Sequence, residues 1–264
     1  MPDRTDTSEI LYDVREHVAT ITLNAPERMN TISGPMLDAL TARLLEADAD
    51  PEVRCIILTG AGRAFCAGLD LRGGGDLLSN AVTPTTIDVK DTPPTVLFNL
   101  EKPTIAALNG GAAGYGMDTA LGCDVRIMAQ SAKMAASFCK RGLLPESGGT
   151  WYLPRLLGWS KAAELVFTGR TLAAEECVAL GLAAQMVPDA ELQSAARALA
   201  LEIAANAPLA VRAAKRMMRM GLSEGFNEHV HHVYLQLLPL LRTQDVKEGM
   251  TAFLEKRAPN FIGA

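Results

Sequence analysis

The residues best suited to chemistry lie between Ala106 and Asp124, in the run Ala-Ala-Leu-Asn-Gly-Gly-Ala-Ala-Gly-Tyr-Gly-Met-Asp-Thr-Ala-Leu-Gly-Cys-Asp. An apolar segment, Thr104 to Leu108, leads into Gly110, Gly111, Gly114 and Gly116, after which Met117, Ala120 and Leu121 recur at helical spacing. The pattern predicts a buried strand, a glycine-rich turn and a helix starting near Tyr115. The first turn of a helix carries N–H groups without intrahelical partners, at the positive end of its dipole. Glycine beside it lets another group approach the backbone. Such a place can hold an anion, or an oxygen that becomes anionic during a reaction. The same small residues also let a helix pack tightly on a sheet, and the sequence leaves both uses open.

A second loop has the same character. The apolar strand Cys55–Gly60 runs into Ala61-Gly-Arg-Ala-Phe-Cys-Ala-Gly-Leu-Asp-Leu71. Leu69 follows Gly68 as Tyr115 follows Gly114, so each loop offers one amide beside a glycine. Two such amides converging on one point would form an oxyanion hole, where each donor is worth roughly 3 kcal/mol of barrier. Asp118 stands one helical turn after Tyr115 and can face the same pocket.

Other chemistries fit poorly. A dinucleotide fingerprint beginning Gly114-x-Gly116 would need glycine at position 119, which is Thr119, and there is no G-x-x-x-x-G-K-[ST] loop. Of His229, His231 and His232, only the first and last share a helix face; no carboxylate ligand pattern accompanies them, and they read as a solvated helix surface. The remaining histidine, His17, sits in a hairpin turn, so no Ser-His-Asp arrangement is suggested. Cys66 lies near the pocket with nothing to activate its thiol, and reads as packing.

The elements that must position these groups alternate. Ile10 to Val14 and Val18 to Leu23 read as a hairpin around Arg15-Glu16-His17, and Ser33 with Pro35 signals a helix over Met36–Ala49. Short apolar strands follow at Cys55–Gly60, Thr104–Leu108, Val125–Ala129 and Leu182–Val187, Lys133–Ala136 reads as a further strand or a loop edge, and a helix is expected over Pro93–Glu101. From Arg72 to Thr92 the pattern fades into an expected pocket-covering loop. After Ser147 the chain turns helical, with Ser160 and Thr171 as expected N-caps and amphipathic helices over Glu191–Ala205, Pro208–Met220 and Glu224–Arg242. Apolar residues on the last of these, Val230, Val233, Leu235, Leu237 and Leu238, suggest burial against another subunit. Strands alternating with helices argue for an α/β domain.

Composition agrees. The chain has 264 residues, 48% hydrophobic and 21% charged, which suits one large globular domain with a helical appendage. A net charge of −5 argues against wholesale nucleic-acid binding, while a local basic patch for a phosphorylated ligand is allowed. The five cysteines, Cys55, Cys66, Cys123, Cys139 and Cys177, form neither a disulfide framework nor a C-x-x-C metal pattern. The polar start, Met1 to Glu9, has no apolar core of a signal peptide, and no apolar run is long enough to span a bilayer. These features give the expectation of a cytoplasmic protein.

Several segments together resemble the crotonase family, the enoyl-CoA hydratase/isomerase enzymes, over nearly the whole chain. They are Asn24-Ala-Pro-Glu-Arg-Met-Asn30, Ala64-Phe-Cys-Ala-Gly-Leu-Asp70, the stretch through Cys123-Asp124, Gly142-Leu-Leu-Pro-Glu-Ser-Gly-Gly-Thr150 and Gly249-Met-Thr-Ala-Phe-Leu-Glu-Lys-Arg257, in the family's order. The resemblance implies an α/β fold, a crotonase-like ββα spiral core over residues 1–200 with the active site, and a C-terminal helical trimerisation region over 201–264. It implies an acyl-CoA substrate and a homotrimer or a hexamer of two trimers. Neither nucleic acid nor membrane is an expected partner, and no metal or redox cofactor is implied, coenzyme A entering as part of the substrate.

In that family two backbone amides hold the thioester oxygen and stabilise its enolate, and Leu69 and Tyr115 fall on those positions. Family hydratases have a glutamate where Asp118 stands, which reaches further; their second glutamate falls on Phe138. Hydratases use both carboxylates to hold water, so the departure weighs against ordinary hydration. Glu146 falls where some isomerases carry their acid, and Gly142 to Leu156 looks most like the ring-epoxide isomerases, which have aspartate there. The resemblance therefore implies proton transfer by Glu146, with Asp118 as helper or water holder, and hydration of a 2-enoyl-CoA as the alternative. Structural uses stay open: Asp118 can bond nearby backbone, and Glu146 can favour a helix N-terminus. Arg28 and Arg72 match positions near the CoA phosphates, and Ala67, Gly68, Asp70, Leu71 and Gly114 belong to the same CoA- and substrate-binding loops. Asp70, like Asp124, reads as making structural hydrogen bonds. Phe253 and Lys256 match residues that reach the adenine and phosphate end of CoA from a neighbouring subunit. A non-catalytic CoA-ester-binding or RNA-binding relative, and a hydrolase or dehalogenase with an acidic nucleophile, are the rival readings.

Overall fold

Alternating apolar residues build the first hairpin of the computed structural model, which describes residues 9–70 and 92–264. Strands β1 (Ile10–Arg15) and β2 (Val18–Leu23) pair antiparallel across Glu16 and His17, whose φ values are 49° and 64°. Positive φ at both central residues matches the right-handed twist of a tight two-residue hairpin. β3 (Cys55–Gly60), buried at all six positions, lies parallel to β2; β5 (Thr104–Leu108), β7 (Val125–Ala129) and β10 (Gln185–Val187) extend the sheet in the order β1-β2-β3-β5-β7-β10. A strand covered on both faces reads as a continuous apolar run, which is how β3 and β5 read in the sequence.

A second sheet contains four strands in the order β4-β6-β8-β9: Ala64–Cys66, Gly111–Ala113, Lys133–Ala135 and Thr171–Ala173. Each of the successive pairs β3/β4, β5/β6 and β7/β8 gives one strand to each sheet, and helix α3 (Tyr115–Gly122) follows β6. This is the expected ββα spiral. β4 and β6 lie where the sequence predicts loops, and β9 starts at the expected N-cap Thr171. A three-residue strand has no periodicity of its own and exists because a neighbour supplies its hydrogen bonds.

Helix α1 (Gly34–Ala49) begins as expected: Ser33 Oγ accepts the Met36 N–H at 3.3 Å, and Met36, Leu40 and Leu44 face the core. Next are α2 (Pro93–Asn99), α4 (Gly149–Leu157), α5 (Trp159–Thr168) and α6 (Ala174–Ala179). Ser160 lies inside α5, not at its cap; Gly158, at φ 73°, separates α4 from α5 and takes the N-cap position. α7 (Leu192–Ala204) presents Ala196, Ala200 and Ala204 at i, i+4 spacing and lies across β3, β5 and β7. α8 (Pro208–Met220), α9 (Phe226–Leu240) and α10 (Gln244–Glu255) complete the chain, the last without a counterpart among the predicted helices. The expected loop from Arg72 lies outside the described residues up to position 91.

Asp124 locks α8 to the sheet. Its Oδ2 accepts the Thr104 N–H at 2.8 Å, the Thr104 hydroxyl at 2.9 Å and the ammonium of buried Lys215 at 2.6 Å, while Oδ1 accepts from Arg219 at 3.0 Å. The structural reading of Asp124 holds.

Candidate active site

Asn30 sets the first loop. Fully buried, it accepts the Ala25 N–H on Oδ1 at 2.8 Å and donates from Nδ2 to the carbonyls of Ala61, Ala64 and Phe65 at 2.9, 2.8 and 3.2 Å. One side chain thus satisfies four backbone groups and ties the Asn24–Asn30 loop to β4. Beyond β4, the Ala67 N–H donates to the Met29 carbonyl at 3.0 Å, Ile32 N–H to Gly68 O at 2.8 Å and Asp70 N–H to Ile32 O at 2.8 Å. Residues 68 and 70 are thereby turned toward Ile32, and the intervening Leu69 amide points the other way, as alternate groups of an extended chain do. Among the hydrogen bonds of the described residues the Leu69 amide is unused.

The second amide is placed by Gly114, at φ 54° and ψ −125°, whose own N–H donates to Ala135 O at 3.0 Å. The helical ladder of α3 starts with the Asp118 N–H donating to Gly114 O at 3.1 Å, so the Tyr115 amide precedes it and is also unused. Two glycines hold the loops together. A Cβ on Gly68, at φ 114°, would stand 3.2 Å from Ala113 O, and one on Gly116 would stand 2.1 Å from Cys66 O. Side chains there would part the loops that carry the two amides.

Leu69, Tyr115 and Glu146 are common to two adjoining cavities. The first, of about 420 Å³, is bordered by charged and polar groups including Arg28, Asp70, Ser137 and Arg141. The second, of about 770 Å³, is walled by Leu37, Pro93, Pro94, Phe98, Trp151 and Tyr152. Trp151 stacks edge-on to Phe98 at 5.3 Å and to Tyr152 at 5.1 Å. The chamber that borders Arg28 and Arg141 and the one walled by aromatic rings share Leu69, Tyr115 and the exposed carboxylate of Glu146.

The two acids are placed differently. Glu146 is exposed and lines both cavities, its Oε1 accepting from the Ser147 hydroxyl at 3.4 Å. Asp118, which the helical spacing let face the pocket, is 1% exposed and is not among the lining residues of either cavity. The short aspartate arm leaves it behind the turn that carries Glu146, where its Oδ2 accepts the Gly149 N–H at 3.1 Å. Burial pushes its pKa up to about 7, the amides of Gly149 and Ser147 work against that shift, and the charge of Glu146 adds to it. Burial likewise raises the Tyr115 phenol, whose oxygen has no hydrogen-bond partner among the described residues.

The other expected residues divide. Ala67, Gly68, Asp70 and Gly114 border the first cavity with Arg28. Arg28 is already paired, to Glu9 at 2.6 Å, Glu27 at 3.5 Å and Asp70 at 3.9 Å, and its Nε donates to Thr31 O at 3.1 Å. Leu71 and Arg72 lie outside the described residues. Phe253 and Lys256, at the end of α10, are exposed and border neither cavity of their own chain. Phe138 is buried and borders the first cavity, 3.9 Å from where a Cβ on Gly114 would stand, so that wall of the cavity is an apolar ring. Arg141 borders the same cavity and was not singled out from the sequence; its place after Lys140 and directly before Gly142 was the available signal. Burial pushes the Cys66 thiol up to about 12, which leaves it un-ionised at neutral pH and fits the packing reading. His229 and His232 both bond Glu224, at 3.0 and 2.9 Å, and among the described residues no group of three or more His, Cys, Asp or Glu side chains could hold a metal ion.

The double-sheet ββα spiral thus brings the loops of Leu69 and Tyr115, with their unused amides, and the carboxylate of Glu146 to the same two cavities. The family model described as Enoyl-CoA hydratase/isomerase matches residues 13–264, and the chain belongs to that family. It is 38% identical over 256 residues to a probable enoyl-CoA hydratase of Rhodobacter capsulatus, covering 96% of this chain and 98% of that protein. It is 38% identical over 259 residues to the 1,2-epoxyphenylacetyl-CoA isomerase of Escherichia coli, with 96% and 98% covered. The crystal structure of an enoyl-CoA hydratase from Bacillus anthracis superposes with a TM-score of 0.90 at 35% identity, over 97% of this chain and 100% of that one. The protein is an enzyme of the hydratase/isomerase kind. Among the described residues no helix is long and apolar enough to cross a membrane.

Proposed function

We propose that the enzyme isomerises an enoyl-CoA, moving a double bond or opening a ring epoxide, through an enolate held by the Leu69 and Tyr115 amides, with Glu146 carrying the proton. The observation behind this reading is that, among the described residues, these three alone are common to the linings of the two cavities. The thioester carbonyl would lie at that junction, the CoA arm in the chamber bordered by Arg28 and Arg141, and the acyl group among Leu37, Phe98 and Trp151. For a 3-enoyl-CoA, Glu146 takes a proton from the carbon next to the thioester. The electron pair moves onto the thioester oxygen as a dienolate, and the same proton returns at the far end of the double bond. One carboxylate suffices, and amides aimed at the oxygen supply the stabilisation that makes so weak an acid react.

Hydration of a 2-enoyl-CoA is the second reading, favoured by the relatives named hydratases. Against it stand the ring of Phe138 and the buried position of Asp118, which leave Glu146 as the one of these three positions able to hold a water in the cavity. Two measurements separate the readings: turnover of 3-enoyl-CoA and of 2-enoyl-CoA, each with Glu146→Gln alongside. Isomerisation that falls by roughly 10²–10⁴-fold in the variant supports the proposal. Hydration without isomerisation favours the second reading, and full activity in the variant overturns the assignment of Glu146. Turnover of neither substrate points to a non-catalytic CoA-ester- or RNA-binding relative, and a trapped acyl-enzyme at Glu146 to hydrolase chemistry.

The assembly belongs to the same proposal. Phe226, Tyr234, Leu235 and Leu238 of α9 are more than half exposed, and burial of such a face against further copies supports a trimer or a hexamer built through residues 201–264. Phe253 and Lys256 would then reach a neighbour's CoA arm. Five unpaired thiols, four of them buried, support a reducing, cytoplasmic setting.

A further inference from the structure

Asp118 is a buried acid that the mechanism does not use. It lies on α3 one turn beyond Tyr115, is buried, and is not among the described residues that line either chamber. Among the described residues the Gly149 amide donates to Asp118 Oδ2 at 3.1 Å, and the Ser147 amide of the same turn also acts on this carboxyl group. The contact is close: a Cβ on Gly149 would stand 2.4 Å from Asp118 Oδ1 and 2.8 Å from the Pro145 side chain. Glu146 sits in this turn, three residues before the Gly149 amide and one after Pro145. The Gly148 carbonyl of this turn caps α4 by accepting the Trp151 and Tyr152 amides at 2.9 Å, and on its inner side the turn rests on the Asp118 carboxyl group.

We propose that Asp118 is a positioning residue: its oxygen fixes the Gly149 amide, and through it the turn that aims Glu146 at the meeting point of the two chambers, without exchanging a proton with the substrate. The inference rests on Glu146 as the proton carrier. Burial keeps Asp118 far less acidic than a solvated aspartate, and it does not line either chamber.

Asparagine retains an oxygen for the Gly149 amide and cannot ionise; alanine has neither property. With a 3-enoyl-CoA and a 2-enoyl-CoA as probes, Asp118→Asn is expected to keep kcat within roughly threefold. Asp118→Ala is expected to lose tenfold or more, with KM little changed, since a misplacement of about 1 Å can cost up to 10²-fold. Amide hydrogen exchange at Gly149 reads the same contact without turnover: protected in the wild type and in Asp118→Asn, fast in Asp118→Ala. Should the alanine variant fail to fold, Asp118→Ser, too short to reach Gly149, carries the same expectation. Loss in Asp118→Asn as deep as in Glu146→Gln would make Asp118 a proton carrier and overturn the proposal. So would a wild-type kcat, or a protected Gly149 amide, in Asp118→Ala. Full activity in Glu146→Gln would instead sink the reading on which the inference stands, whatever the Asp118 variants do.

Discussion

Gly116 in the first turn of α3 lies so close to Cys66 at the end of β4 that an added Cβ would stand 2.1 Å from the Cys66 carbonyl oxygen and 2.7 Å from its Cβ. This contact joins the loop after β4, which carries the Leu69 amide, to the start of α3, which carries the Tyr115 amide. Because the opposing atoms are backbone, they cannot swing aside. Gly116→Ala must separate the loops or strain them, which costs about 1–3 kcal/mol or more by overpacking. The expected outcome is a lower urea midpoint together with a fall in kcat larger than any rise in KM. A variant with wild-type stability and kcat would show that the contact does not set the amides.

The pH dependence of stability carries the signature of Asp118. Its pKa is raised to about 7 in the fold, from about 3.9 in an unfolded chain. Between those values the folded protein holds a proton that the unfolded chain has released. Stability from this group is therefore highest below pH 4, falls as pH rises toward 7, and is level above. Each pH unit in that window is worth about 1.4 kcal/mol. Asp118→Asn removes the titration, so its Tm relative to wild type should rise from pH 5 to pH 8. A difference independent of pH contradicts the assignment.

Lys215 depends on Asp124. The ammonium is buried, its pKa is lowered by desolvation, and it is held by Asp124 Oδ2 at 2.6 Å with the Lys102 carbonyl as its other partner. Asp124→Asn leaves that charge without its counterion, and breaking such a pair costs about 3–5 kcal/mol. The expected result is a strongly reduced denaturation midpoint, with KM unchanged for molecules that remain folded at low temperature. A loss under 1 kcal/mol would mean that the Lys102 carbonyl and water suffice.

The apolar chamber predicts a size limit. Leu37 lines it together with the Phe98, Trp151 and Tyr152 cluster. Leu37→Trp fills part of its volume, so KM for long or ring-bearing acyl-CoA should rise tenfold or more, about 1.4 kcal/mol, while a four-carbon acyl-CoA is little affected. Equal effects on both would place the acyl group elsewhere.

Much of this architecture could be read from the sequence because the signals were local. The Ser33 cap, the Glu16-His17 hairpin and the apolar runs of β3 and β5 each follow from a few neighbouring residues. β4, β6 and β9 were not legible, because three residues carry no period and their partners come from distant parts of the chain. The site divides along the same line. Gly68 and Gly114 announce where the backbone turns, and so where Leu69 and Tyr115 offer their amides. That Asn30 bonds four backbone groups, or that Asp118 meets Gly149 and not the chamber, depends on contacts far apart in sequence. Arg28, expected near phosphates, is found among Glu9, Glu27 and Asp70, and residue types do not tell which opposite charges will surround a cation.

The central claim is that the Leu69 and Tyr115 amides grip one thioester oxygen. Isotope-edited infrared difference spectra of an acyl-CoA labelled with ¹³C at its thioester carbonyl measure this directly. The account predicts that the carbonyl stretch moves to lower frequency on binding, as two donors draw charge onto the oxygen, and moves further for substrates that turn over faster. A bound thioester whose carbonyl absorbs where it does in water, or higher, would contradict it.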